Sequence, residues 1–140
     1  MKNIHLIRGL ETGIISGIAL GSVLSLSNYA TLFSAQFEIH IITFFILHTL
    51  ISIVAGVLFS YTFGYHIKSH ARSLMFGILY GLLLWIISSI VIWFSFDIVK
   101  SFGFISFTPL LMGHLLYGLF TGLIYDLLVP DSEQEEQLKN

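Results

Sequence analysis

Two histidines, His48 and His114, stand inside long apolar segments of the sequence. An imidazole can ligate a metal or a haem iron, exchange protons near neutral pH, or form hydrogen bonds between buried helices. A polar side chain in an apolar segment usually faces a partner or a ligand instead of lipid. Both histidines are therefore candidates for a functional site.

Two carboxylates also lie within or beside apolar segments. Glu11 follows Arg8 by three residues, so the two side chains would share one face of a helix and form an ion pair. The alternative is a proton or cation relay, in which Glu11 exchanges protons with a histidine through tyrosine hydroxyls. The residues considered for this relay are Glu11, Tyr80, Tyr117, Tyr125 and Asp126.

The residue types of the common catalytic and metal sites are missing from the sequence. The chain has no cysteine, which excludes disulfides, thiolate metal ligands and a cysteine nucleophile. No third strong ligand accompanies His48 and His114, so no metal site is predicted, and haem held between the two imidazoles is the alternative cofactor. With no HExxH motif and no phosphate-binding glycine loop, the sequence favours a protein that is not an enzyme.

The composition of the chain is that of a membrane protein. Hydrophobic residues make up 56% of its 140 residues and charged residues 10%, whereas soluble chains carry about 25% charged residues. Four apolar segments are each long enough to cross a ~30 Å hydrocarbon core as a helix. These segments, called spans 1 to 4, are residues 4–26, 41–65, 71–96 and 109–129. The sequence predicts an all-α membrane protein, an up-down bundle of four transmembrane helices, with no surface for nucleic acid.

The ends of the last span carry specific signals. Thr108 is expected to cap a helix that begins at Pro109 and stops before Pro130. One transmembrane domain would then cover residues 1–130, and the acidic tail 131–140 is predicted to be disordered.

The segments that connect the spans are short. Aromatic residues at 28–37 and 93–107 are interpreted as belts at the membrane interface. The remaining connection, residues 66–72, is basic, and its histidines, His66 and His70, are expected to be solvated.

Basic residues are distributed unevenly between the two sides of the predicted bundle. Lysine and arginine concentrate in short cytoplasmic loops of membrane proteins. The bases on one side are Lys2, Arg8, Lys68 and Arg72, and the opposite loops carry only Lys100. This bias predicts that both termini lie in the cytoplasm.

A repeat relates the first half of the chain, residues 1–65, to the second, residues 66–130. Its matched positions lie at offsets of 64 and 66 and include Arg8/Arg72, Gly13/Gly77, Gly17/Gly81, His48/His114 and Gly56/Gly122. The repeat predicts a duplicated two-helix hairpin whose copies point the same way across the membrane.

Glycines spaced four residues apart form a stripe on most spans. Such stripes let helix backbones approach closely in lipid. The predicted contact glycines are Gly13, Gly17 and Gly21 in span 1, Gly56 in span 2, Gly77 and Gly81 in span 3, and Gly118 and Gly122 in span 4. His48 and His114 continue the stripes of spans 2 and 4, so both are expected to face other helices at a common depth.

The stretch HTLISIVAGVLFSYTFGY, followed by a short basic loop and a later GHLLYG, resembles the YagU-like bacterial inner-membrane proteins. The residues that carry this resemblance are His48, Gly113, His114 and Leu115. The resemblance implies four spans, residence in the inner membrane and a part in tolerating acid, and it supplies no catalytic residues.

The leading interpretation is a non-enzymatic accessory or stress-related protein that associates with itself or with another membrane protein. The alternatives are a haem-binding electron carrier that uses His48 and His114, and a protein that conducts protons or cations through Glu11.

Overall fold

The structure is a computed structural model that describes residues 2–36, 38–67, 69–95 and 104–128. Its helices are α1 (Lys2–Leu26), α2 (Tyr29–Gln36), α3 (Ile41–Phe63), α4 (His70–Ser95) and α5 (Phe104–Leu128), and a 3-10 turn at Gly64–His66 follows α3. The acidic tail, Pro130 and residues 96–103 of the second aromatic segment lie outside the described residues.

Four of these helices are long and apolar enough to cross a membrane. The membrane-crossing segments are His5–Leu26, Ile41–His66, His70–Ile92 and Thr108–Leu128. Large apolar side chains, among them Ile18 and Leu50, are exposed on the outside of the bundle, as expected for a surface that meets lipid. The chain is an all-α multi-pass membrane protein, which confirms the fold predicted from its composition.

The predicted start of the last helix is wrong. Helix α5 begins at Phe104 and includes Thr108 and Pro109, so Thr108 does not cap it. The first four N–H groups of any helix have no partner within the helix. Pro109 lies just beyond these four positions, where its missing N–H removes a single hydrogen bond. A proline ring at this position also crowds the carbonyl four residues earlier, and transmembrane helices tolerate this because neighbouring groups re-satisfy the backbone.

Part of the first aromatic segment forms the short helix α2. Helix α1 ends in a turn at Asn28, whose φ of 57° is a left-handed conformation that asparagine tolerates better than most residues. After α2, the N–H of Ile39 donates to the carbonyl of Ser34 over 3.0 Å. These turns reverse the chain at each end of α2, which packs against α1 and α3.

Two helical hairpins make up the bundle. Helix α1 packs along α3, α4 packs along α5, and the contact between α1 and α5 joins the two hairpins. Helices α3 and α4 meet through aromatic side chains: the ring of Phe63 lies 5.3 Å from that of Phe76 and 5.9 Å from that of Tyr80. The backbones of α3 and α4 are thus held apart, whereas those within each hairpin are close.

Glycines form the contact surface of the first hairpin. A Cβ atom added to Gly13 would lie 2.5 Å from the carbonyl oxygen of Ser52 and 2.8 Å from the Cα of Ile53. One added to Gly56 would lie 2.5 Å from the Cα of Gly13. No side chain fits at these distances, so the close approach of α1 and α3 requires glycine. Gly21 is looser, because its added Cβ would lie 3.7 Å from the ring of His48.

The second hairpin packs through the positions that the repeat predicts. A Cβ added to Gly77 would lie 3.0 Å from the Cα of Gly122, and this pair corresponds to Gly13 and Gly56 in the first hairpin. A Cβ added to Gly118 would lie 2.7 Å from the backbone nitrogen of Gly81. The predicted glycine faces are therefore helix contact faces in both halves of the chain.

Candidate functional site

A half-open cavity of about 540 Å³ lies between the two hairpins, in the half of the bundle nearer α2. Its open side carries exposed apolar residues such as Ile51 and Val91. Each helix contributes to its wall, through residues such as Leu20 of α1, Tyr29 of α2, Ile51 of α3, Leu84 of α4 and Leu110 of α5. Most of the lining side chains are apolar. The volume falls within the range of small-molecule sites, about 300–1,000 Å³.

Both predicted histidines line this cavity. The Nε2 atom of His48 lies 3.2 Å from the carbonyl oxygen of Gly17, across the first hairpin. The Nδ1 atom of His114 lies 2.7 Å from the carbonyl oxygen of Leu110, one turn earlier in α5. The two histidines that the repeat pairs therefore line the same cavity. Each imidazole is held by a hydrogen bond to a main-chain carbonyl.

These carbonyls fix the tautomer of each neutral imidazole. A carbonyl oxygen only accepts hydrogen bonds, so the proton of His48 is on Nε2 and that of His114 is on Nδ1. The other nitrogens, Nδ1 of His48 and Nε2 of His114, are then acceptors. The Oγ atom of Ser88 lies 3.1 Å from His114 Nε2 and also 3.1 Å from the carbonyl oxygen of Trp85. Because Ser88 has one proton, it donates to one of these two acceptors at a time.

An aromatic wall connects α2 to His48. The ring of Tyr29 lies 6.2 Å from that of Phe33, which lies 5.6 Å from that of Phe44. Phe44 stacks on the imidazole of His48 at 5.9 Å with an interplanar angle of 9°. Burial raises the pKa of the Tyr29 hydroxyl, so this group stays protonated at neutral pH. Helix α2, which sequence reasoning missed, therefore supplies one side of the cavity.

Two tyrosines connect α4 and α5 to α3 at the end of the cavity that is farther from α2, called its inner end. The hydroxyl of Tyr117 donates to the carbonyl of Ser52, and that of Tyr80 donates to the carbonyl of Ala55, each over 2.7 Å. Both tyrosines are buried. A main-chain carbonyl cannot pass a proton on. A proton that reached either hydroxyl therefore could not move further along these hydrogen bonds.

The other residues considered for a relay lie elsewhere. Glu11 pairs with Arg8 over 3.6 Å, which confirms the predicted ion pair. The hydroxyl of Tyr125 lies 3.5 Å from both Ser60 Oγ and His5 Nδ1, toward the end where α1 begins. The relay candidates are thus distributed over several places in the bundle, and conduction through them stays a prediction.

Asp126 has a partner that sequence reasoning did not identify. Its carboxylate pairs with the imidazole of His70, at the first residue of α4. Asp126 is 6% exposed, whereas the side chain of His70 is 81% exposed. His70, expected to be solvated, therefore covers a buried carboxylate. Position was the available signal: Asp126 lies near the end of span 4, and span 3 begins on the same side of the membrane.

The described residues contain no group of three or more histidine, aspartate or glutamate side chains that could hold a metal ion. The two imidazoles of the cavity are accordingly the candidate ligands to consider for any cofactor.

Comparisons with known protein families, curated proteins and solved structures find no match to this chain. The resemblance to the YagU-like proteins stays a prediction, and the function has to be argued from the cavity.

Proposed function

We propose that this chain is a non-enzymatic membrane protein that binds a small, bilayer-soluble apolar molecule in the cavity between its hairpins. The observation that carries the proposal is the cavity itself. Its wall is largely apolar and contains a few hydrogen-bonding groups, at His48, Ser88 and His114. This combination is typical of small-molecule sites, in which apolar area provides affinity and a few polar groups fix orientation.

The position of the cavity favours a ligand that arrives from the bilayer. Residues of all four membrane-crossing helices line it, so it lies at the level of the hydrocarbon. A molecule that partitions into lipid is concentrated at this level, and its apolar surface matches the leucine and isoleucine side chains of the wall.

We infer from the uneven distribution of basic residues that both termini lie in the cytoplasm and that the cavity lies in the outer half of the membrane. The assignment to the bacterial inner membrane rests on the resemblance to the YagU-like proteins. The accessory or acid-tolerance role rests on the family resemblance, and association with a second copy rests on the glycine stripes. Both stay predictions.

Gly113 offers a sharp test of binding. It lines the cavity, and a Cβ added there meets nothing within 4 Å. Gly113→Leu therefore starts its side chain in open space and should fill part of the cavity, with Gly113→Ala as the matched control. The melting temperatures of both variants check that they fold. The probe is 1-decanol that carries a photoreactive diazirine, added to protein in lipid nanodiscs, with the cross-linked residues mapped by mass spectrometry.

We expect the probe to label lining residues such as Leu84 and Leu110 in the wild type and in Gly113→Ala. Labelling of these residues should fall severalfold in Gly113→Leu, while labelling of the lipid-facing Leu50 stays constant. Equal labelling of Leu84 and Leu110 in all three proteins, or labelling confined to Leu50, would contradict the proposal.

A second candidate is haem ligated by His48 and His114, which would make the protein an electron carrier. The observation in its favour is that each imidazole donates one N–H to a main-chain carbonyl, as histidines that ligate metals commonly do. The test is the absorption spectrum of protein produced with haem supplied. A Soret band that is lost in His48→Ala and in His114→Ala supports haem, and a colourless wild type rules it out.

A further inference from the structure

We infer that the molecule bound in the cavity carries a hydroxyl group, and that His48 and His114 recognise this hydroxyl as hydrogen-bond acceptors. The ligand would be a bilayer-soluble alcohol or phenol. This assignment rests on the proposed function, because it names the polar group of the molecule that the cavity would bind.

The first step is the direction of the hydrogen bonds that the histidines already make. His48 donates through Nε2 to Gly17, and His114 donates through Nδ1 to Leu110. Each neutral imidazole has a single N–H, and the main chain takes it in both residues. The remaining nitrogen of each ring can only accept, so the imidazoles present acceptors and no donor.

The second step concerns the class of ligand that such acceptors select. A ketone, an ether or a quinone offers oxygen lone pairs alone, and these would face the lone pairs of the imidazoles. Ser88 can donate to Nε2 of His114, but Nδ1 of His48 would then stay desolvated without a donor, which is unfavourable. The hydroxyl of an alcohol or a phenol can donate a hydrogen bond to one of these nitrogens.

Ser88 allows a ligand hydroxyl to bind His114 without the net loss of a hydrogen bond. The hydroxyl of Ser88 is equally distant, at 3.1 Å, from His114 Nε2 and from the carbonyl oxygen of Trp85. When Ser88 donates to Trp85, a ligand hydroxyl can donate to His114, and Ser88 still has an acceptor. Binding of an alcohol therefore adds a hydrogen bond and removes none.

The other polar groups of the cavity wall are compatible with a ligand that carries a hydroxyl. The hydroxyl of Tyr117 donates to the carbonyl of Ser52, so it has no free proton to offer the ligand. Tyr29 and Ser52 also line the cavity, and each carries a hydroxyl. They can both donate and accept, which suits a ligand hydroxyl without selecting for it.

The test compares two photoreactive probes with the same apolar body, the diazirine-bearing 1-decanol and its methyl ether, at equal concentrations in the nanodisc bilayer. One missing hydrogen bond corresponds to about a fivefold difference in labelling of Leu84 and Leu110. We expect this advantage of the alcohol in the wild type, and its reduction in His48→Leu and His114→Leu. Folding of each variant is checked by its melting temperature.

Ser88→Ala keeps the test decisive if a histidine variant does not fold. This change removes the internal donor to His114 Nε2, so the alcohol should keep or increase its advantage over the ether. An advantage that disappears in Ser88→Ala would overturn the inference.

The outcomes separate this inference from the proposed function. If alcohol and ether label the cavity equally in the wild type, the cavity binds apolar molecules but the imidazoles do not recognise a hydroxyl, and the inference fails alone. If neither probe labels Leu84 or Leu110, the proposed function fails, and the inference fails with it.

Discussion

The Nε2 atom of His48 lies 3.2 Å from the carbonyl oxygen of Gly17, so an imidazole of α3 is fixed to the backbone of α1. The two helices approach closely at this level, since a Cβ added to Gly17 would lie 2.7 Å from the Cβ of Ser52. The glycine face that packs the first hairpin therefore also orients one histidine of the cavity. Helix packing and the geometry of the site depend on the same residues.

The glycine contacts predict opposite effects for the same substitution at different positions. Gly13→Ala and Gly118→Ala place a Cβ against a neighbouring backbone and should lower the free energy of unfolding by about 1–3 kcal/mol. Gly113→Ala meets open space and should be neutral or stabilising, because alanine favours a helix over glycine by about 1 kcal/mol. Thermal melts in a mild detergent measure the difference. If all three variants melt alike, the glycine faces do not determine packing.

The tyrosines at the inner end of the cavity should contribute measurable stability. Tyr80→Phe and Tyr117→Phe each remove one hydrogen bond to a carbonyl of α3 and should cost about 0.5–1.5 kcal/mol. The control is Tyr65→Phe, since Tyr65 is 55% exposed. Unfolding in a denaturing detergent compares the three. Losses no larger than that of Tyr65→Phe would mean that these hydroxyls do not hold the helices together.

The contact between His70 and Asp126 should make the effects of mutating these two residues on the free energy of unfolding non-additive. Asp126→Ala and His70→Ala each remove the contact between α4 and α5, so the double variant should be less destabilised than the sum of the single variants. Because the imidazole is largely exposed, we expect a coupling of about 1 kcal/mol or less. The pair Arg8 and Glu11, which lies within one helix, is the reference cycle. Strict additivity of the two changes would show that the contact contributes nothing.

Single cysteines can test the orientation without background, because the chain contains no cysteine. Glu38 and Ser69 are both exposed and lie at opposite ends of the bundle. A maleimide that cannot cross membranes should label Glu38→Cys in intact cells, and should label Ser69→Cys only after the inner membrane is opened. The reverse result would invert the predicted topology, and labelling of both in intact cells would mean that a span was misassigned.

The features that sequence predicts well are those set by local pattern. Long apolar runs require helices in lipid, because every backbone polar group has to be satisfied within the segment, and this gives the four spans. Glycine spacing gives the contact faces, since it depends only on the period of the helix. The match of His48 to His114 comes from the repeat, and it predicts that the two histidines face other helices at a common depth.

The features that sequence misses depend on contacts between distant segments. Helix α2 has eight residues, too few to be stable alone, and contacts such as that of Phe33 with Phe44 hold it in place. The pairing of His70 with Asp126 depends on how α4 lies beside α5. The cavity depends on the distance between α3 and α4, which contacts between aromatic side chains determine. The spacing of residues along one helix carries no information about that distance.

The dependence of photolabelling on probe concentration tests most directly whether the cavity is a binding site. Labelling of Leu84 and Leu110 by the diazirine-bearing 1-decanol should saturate in the wild type, because a site of defined volume fills. Labelling of Leu50 should rise in proportion to the probe, because that residue samples the bilayer. In Gly113→Leu the saturable labelling should be lost and the proportional labelling kept. Labelling of Leu84 and Leu110 that rises in proportion to the probe, equally in both proteins, would contradict a ligand site between the hairpins.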